Sequence, residues 1–217
     1  GKVIVNAGIS GFGLPEEYRL LKDLGKKLKP GRVFLLISNF NDFMNVEEKS
    51  VGFTSYLMYY SDLARFLLFN LKFRQTGSLP LKRWTEPFYP TVKDNTDYNV
   101  FYKNTSPTKQ KDLAAFRRHL TLIAGYVKKI GAELVVVIVP TKEQVHYKYF
   151  EEVITHFEIE VANLDMAAPN RIIKDEVSRL GVPCIDLTAE YGRSPEAVFF
   201  ERDEHLNAHG HSLTARI

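Results

Sequence analysis

The chain has 217 residues, 45% of them hydrophobic and 25% charged, enough to bury one sizeable core with little reason to expect two. Its 29 lysines and arginines are scattered among 26 acidic residues for a net charge of +3, a balance that does not imply nucleic-acid binding. The single cysteine, Cys184, excludes an internal disulfide framework, and no apolar run reaches the roughly 18 residues a membrane-spanning helix needs.

Residues 3–6, VIVN, form a short apolar run that breaks at Gly8, Gly11 and Gly13, after which LPEEYRLLKDLGKKL repeats its apolar positions at helical spacing. The pattern predicts strand, glycine loop, helix. The densest basic stretch, Lys22 to Arg32, fits the end of that helix, where the negative end of the dipole favours cations, and Pro30 and Gly31 close it. RVFLLIS at 32–38 is a continuous apolar run of the kind a strand buried on both faces shows. The segment 43–110 breaks this rhythm. Residues 55–73 have helical periodicity and many aromatics, whereas 78–107 mix prolines, asparagines and aromatics without a period. The segment reads as an insertion wrapped over the domain, its aromatic residues packing a core or a lid before they serve a substrate. The alternation resumes with a helix from about Lys111 to Ile130 stopped by Gly131, then the strand ELVVVIVP at 133–140. Helical stretches follow around 143–157 and 168–180, and VPCIDL at 182–187 is the last strand, with Cys184 read as a buried, inert thiol. Strands alternating with helices imply parallel pairing through right-handed crossovers, hence one three-layer α/β/α domain over 1–217. Ligands of such a sheet lie beyond the carboxyl ends of its strands.

Three loops follow strand-like runs: NAGISGFG at 6–13, SNFNDF at 38–43 and RDEHLN at 202–207. A parallel sheet brings such loops to one edge. A histidine works as a general base near neutral pH when one ring nitrogen is held as donor and the other is left open, so a nearby carboxylate is useful to it. Asp203 and His205, two apart, meet that need. A glycine after a strand lets a backbone N–H approach a ligand oxygen, and an asparagine amide adds a second donor; Gly11 and Asn41 would form a hole for an oxyanion.

These residues together resemble the SGNH (GDSL-type) hydrolases. VIVNAGISGFG is similar to the family's glycine block, with Gly11 at the oxyanion glycine, and LLISNFNDF to its asparagine block, with Asn41 at the asparagine, although Asn39 and Phe40 replace the usual glycines. FFERDEHLNAHGH resembles the last block in a D-x-H-x-N-x-x-G-H form, and IVPTKEQVHYKYF resembles members with a proline after the long central strand. The resemblance implies a flavodoxin-like parallel sheet and cleavage or transfer of an acyl group on a small-molecule or glycan ester, such as an O-acetylated carbohydrate. It implies His205 as base, Asp203 as its orienting carboxylate, Gly11 and Asn41 as the oxyanion hole, and no cofactor or metal. The Gly-Asp-Ser block that carries the nucleophile has no counterpart, since neither Ser10 nor Ser38 matches it. The expectation is a natural protein extending upstream of Gly1 with the nucleophile, the central first strand and any signal peptide or membrane anchor, and clipped at SLTARI.

Asn207 is expected to cap the final helix, with Gly210 allowing close packing and His209 and His211 at the surface or behind the site. Two other classes stand beside the esterase. One is a catalytically silent SGNH-like domain that binds a glycan or a protein through the aromatic insertion. The other is a metal-dependent hydrolase using Asp203, His205 and His209, against which the helix start at or after Asn207 sets His205 outside the helix.

Overall fold

The run ELVVVIV is apolar at every inner position, which suits a strand covered on both faces, and it forms the middle of the sheet. The structure, a computed structural model, describes residues 3–9, 12–39, 42, 43, 46, 96–201 and 204–217. Among them the sheet has three parallel strands, β1 (Arg32–Ser38), β2 (Glu133–Val139) and β3 (Cys184–Asp186), in the order β1-β2-β3. Arg32 is opposite Glu133 and Ser38 opposite Val139, while Val136 and Ile138 face Cys184 and Asp186, so all three strands end on one edge. The helices in chain order are α1 (Leu14–Leu28), α2 (Pro107–Lys129), α3 (Lys142–Val145), α4 (Tyr147–His156), α5 (Ala168–Arg179), α6 (Thr188–Arg193) and α7 (Ala208–Thr214), with short 3-10 turns at Thr96–Phe101 and Val161–Asn163.

Their limits follow local chemistry. Ser106 caps α2 by accepting the Lys109 N–H at 3.1 Å, and Pro107 fills the first turn, where its missing N–H costs nothing. Gly131 at φ +74° and Gly181 at φ +66° follow α2 and α5 in the left-handed conformation that glycine adopts without strain. Asn207 caps α7 through Oδ1, which accepts the Gly210 N–H at 2.9 Å. A Cβ on Gly210 would lie 2.2 Å from the Val198 carbonyl oxygen, so only glycine lets α7 approach that strand of chain.

The period of two along β2 divides the interior. Leu134, Val136 and Ile138 join Leu35 and Ile37 of β1 in the main core with Leu14 of α1, Phe116, Leu120, Ile123 and Val127 of α2, and Ile173 and Val177 of α5. Val137 instead belongs to a smaller cluster with Leu187, Tyr191, Val198 and Phe199.

The mixed α/β architecture, with helices around a parallel sheet, is as the alternation implies. Four readings change in detail. Residues 3–6 are not a strand: they pair with no other chain segment described, and Val3 and Ile4 are 88% and 92% exposed. Apolar β-formers make a strand only where a partner supplies the ladder bonds. β1 is covered on one face, since Phe34 and Leu36 stand exposed while Leu35 and Ile37 are buried. The stretch around 143–157 is two helices, because His146 takes an extended backbone (φ −123°, ψ 114°) between α3 and α4. The last strand is three residues long, and Cys184 is half-buried rather than buried, its thiol pushed up by that burial and by the Asp186 charge. The insertion at 43–110 falls mostly outside the described residues, and α2 already begins at Pro107.

Candidate functional site

Gly11, Asn41 and Asp203 lie outside the described residues; His205 is described and its side chain is exposed. Their immediate neighbours show how the loops are held. Phe199 forms an antiparallel bridge with Leu206, the Phe200 N–H donates to the His205 carbonyl at 3.1 Å, and the Asn207 N–H donates to the Val198 carbonyl at 3.0 Å. The described ends of the FFERDEHLN stretch therefore pair as the two arms of a hairpin whose base is rooted in the smaller apolar cluster. Asn207 strengthens the neck by donating from Nδ2 to the carbonyls of Ala197 at 2.7 Å and Phe199 at 3.1 Å. His209 pairs with Ser194 Oγ at 3.0 Å through Nε2. α7 begins at Ala208, so His205 and His209 do not share a helical face, and among the described residues no group of three or more His, Cys, Asp or Glu comes together to hold a metal ion.

The turn after β2 gathers the loops. Thr141 Oγ1 accepts the Gln144 N–H at 3.3 Å and Gln144 Oε1 accepts the Thr141 N–H at 2.9 Å, a reciprocal box that fixes α3 on the carboxyl edge of the sheet. Asn39, the first residue after β1 and fully buried, donates from Nδ2 to Gln144 Oε1 and to Asn170 Oδ1, both at 2.8 Å. Gln144 Nε2 donates to the Met166 carbonyl at 2.7 Å and to Asn170 Oδ1 at 2.8 Å. Asn170 Nδ2 continues the chain to both oxygens of Asp186 and to Thr188 Oγ1. Burial pushes the Asp186 carboxyl up, but hydrogen bonds from Lys174, Thr188 and Asn170 outweigh it and hold the group down at about 2. From the other side, Lys142 Nζ meets Glu204 Oε1 at 3.3 Å, with both side chains 5% exposed. The residue two before Asn41 and the residue just before His205 are thus bonded to one four-residue turn.

A second group of acids lies beside the loop after β1. Asp42 Oδ2 accepts the Ser38 N–H at 2.7 Å, and Phe43 stacks on Phe116 of α2 with ring centroids 4.5 Å apart. Burial raises the Asp42 carboxyl to about 7, partly opposed by the Ser38 bond. Burial and then the charges of Asp42 and Glu16 raise Glu17, in the first turn of α1, to about 8. The first turn of α1 and the loop after β1 are therefore coupled through carboxyls that burial lifts above their ordinary range.

This coupling gives a pH-dependent cost. Unfolded, Asp42 releases its proton near 3.8; folded, it keeps it to about 7. The destabilisation is absent below about pH 4, grows as pH rises, and is full above about 7. Asp42→Asn keeps an oxygen for the Ser38 N–H and removes the ionisation. It is expected to raise the melting temperature by on the order of 5 °C at pH 8 and to leave it nearly unchanged at pH 4, as calorimetry at both values will show.

Sequence reasoning did not find Lys142, Gln144, Asn170 or Glu204. The spacing Thr141-x-x-Gln144 after an apolar strand is a capping signature and was available as a signal; the partners of Lys142 and Asn170 come from elements distant in sequence and leave no local pattern.

No curated protein and no solved structure matches the chain. A family model does: residues 97–217, more than half of the chain, match the SGNH hydrolase-like domain of acetyltransferase AlgX. That span contains β2, the turn at 141–144, the amide chain through Asn170 and the His205 hairpin, and the chain belongs to this family of SGNH hydrolase-like domains.

Proposed function

We propose that the protein is an acyl-transfer enzyme that removes an acetyl group from an ester or passes it to a carbohydrate hydroxyl. The observation that carries the reading is the tie of both Asn39 and Glu204 to the turn at 141–144 in a chain of this family, which favours the loops of Asn41 and His205 working together. No serine of residues 1–217 matches the family's Gly-Asp-Ser block, and in this reading the attacking hydroxyl comes from outside them.

In the first half-reaction the serine oxygen attacks the ester carbonyl while His205 takes the hydroxyl proton. The carbonyl oxygen gains negative charge and accepts hydrogen bonds from the Gly11 N–H and the Asn41 amide. Collapse of the tetrahedral intermediate breaks the bond to the alcohol, which leaves with the proton from His205. Asp203 keeps the imidazole in the tautomer with its open nitrogen toward the serine. In the second half, water or a sugar hydroxyl gives its proton to His205, attacks the acyl-serine, and frees the serine with that proton returned. Hydrolysis and transfer differ only in the acceptor.

The test is a stopped-flow trace of the full-length protein with p-nitrophenyl acetate. A burst of nitrophenol near one equivalent, followed by turnover that an added oligosaccharide accelerates, supports transfer through an acyl-enzyme. Nitrophenol release no faster than in buffer would instead leave a binding domain that uses its aromatic segment.

A further inference from the structure

Neighbouring residues Glu204 and His205 lie on opposite sides of the hairpin: the first is turned inward and the second stands exposed. What draws Glu204 in is Lys142, whose Nζ is 3.3 Å from Oε1 and 4.7 Å from the Tyr149 ring centroid. Taking two opposite charges out of water costs several kcal/mol per ion, and their attraction only roughly offsets it, so such a pair adds little stability for its size. Its effect is geometric, because either charge left alone inside would be far worse than the pair. The lysine end cannot drift. It belongs to α3, which the Thr141–Gln144 box closes and which Asn39 after β1, Asn170 of α5 and Met166 in the turn before it hold in place. The glutamate end sits in a hairpin closed at Phe199 and Leu206.

We infer that Lys142 is a positioning residue: by holding Glu204 inside, it fixes the register of the hairpin on the sheet edge and turns His205 outward toward the reacting ester. The inference rests on the reading of His205 as the base. Displacing a base by about an ångström costs on the order of 100-fold in rate, without weakening contacts to substrate.

The experiment uses the full-length protein and the variants Lys142→Met, Lys142→Arg and His205→Ala. The ring signals of His205, identified by their loss in His205→Ala, are followed by NMR without substrate, and kcat and KM are measured with p-nitrophenyl acetate. Lys142→Met is expected to move the His205 signals and to lower kcat about 10- to 100-fold at unchanged KM. Lys142→Arg, which keeps the charge, is expected to restore kcat to within about threefold and the signals to near their original positions. Should Lys142→Met melt too low to assay, Glu204→Gln, which keeps the size and drops the charge, is read in the same way. A folded variant with unmoved His205 signals and unchanged kcat overturns the inference. If His205→Ala leaves turnover intact, the catalytic reading falls by itself, and the ring signals still decide whether Lys142 sets the hairpin.

Discussion

Replacing His205 by alanine is expected to lower kcat for p-nitrophenyl acetate by about 10⁴-fold or more while leaving the melting temperature within about 1 °C. The size follows from the role of base proposed for His205. A nucleophile without its base is a neutral hydroxyl, and removal of one member of such a triad removes nearly all that the set contributes. The small effect on stability follows from the side chain's exposure, for surface substitutions of this kind usually cost within about 0.5 kcal/mol. The carbonyl of residue 205, which accepts the Phe200 N–H at the neck, survives the substitution. Added imidazole is expected to restore part of the rate. Turnover equal to that of the unaltered protein would remove His205 from the mechanism, and with it the reading of the whole last block.

Asn170→Leu is expected to have the largest effect on stability. The side chain is 7% exposed, accepts from Asn39 and Gln144 through Oδ1, and donates through Nδ2 to Asp186 and Thr188. Leucine is of similar size, so the substitution leaves little void; it leaves instead four polar groups, Asn39 buried and Gln144, Asp186 and Thr188 half-buried, each short of a partner. At about 1 kcal/mol for each bond, and more for the one to a carboxylate, the loss is roughly 4 kcal/mol, or about 10 °C in a chain of this length. The effect should extend to activity, because Asn39 and Gln144 lose a shared acceptor at the edge where the loops meet. A melting temperature lowered by less than about 2 °C would mean that the amide chain adds little beyond the packing around it.

Much of the fold was legible because it is written in local periods. The helical repeats of Leu14–Leu28, Pro107–Lys129 and Ala168–Arg179, and the apolar run of Glu133–Val139, each appear within one window of sequence, and each is present. Residues 3–6 failed for the opposite reason, since a strand is a statement about two segments and the sequence of one does not name the other. The same limit applies to Phe34 and Leu36: apolar type says that a side chain can be covered, and the covering comes from elsewhere. For the site, the last block was legible as a motif, and its capping asparagine and close-packed glycine behave as its spacing implies. The ion pair of Lys142 with Glu204 was not legible. Each residue alone reads as a solvated surface charge, and only the fold, by bringing the end of β2 under the hairpin, makes them partners.

The narrow neck of the hairpin, closed by Phe199 against Leu206 and by Asn207 against Val198, has a consequence for how such a protein can diversify. Among the described residues, the neck is rooted in the smaller apolar cluster, and Glu204 adds an inward tether to Lys142. Residues beyond the neck, such as Glu201 and the half-exposed Phe200, are free to be exchanged without repacking the interior. A lineage of this chain can therefore vary the chemistry of that rim while the scaffold beneath inherits its fold unchanged.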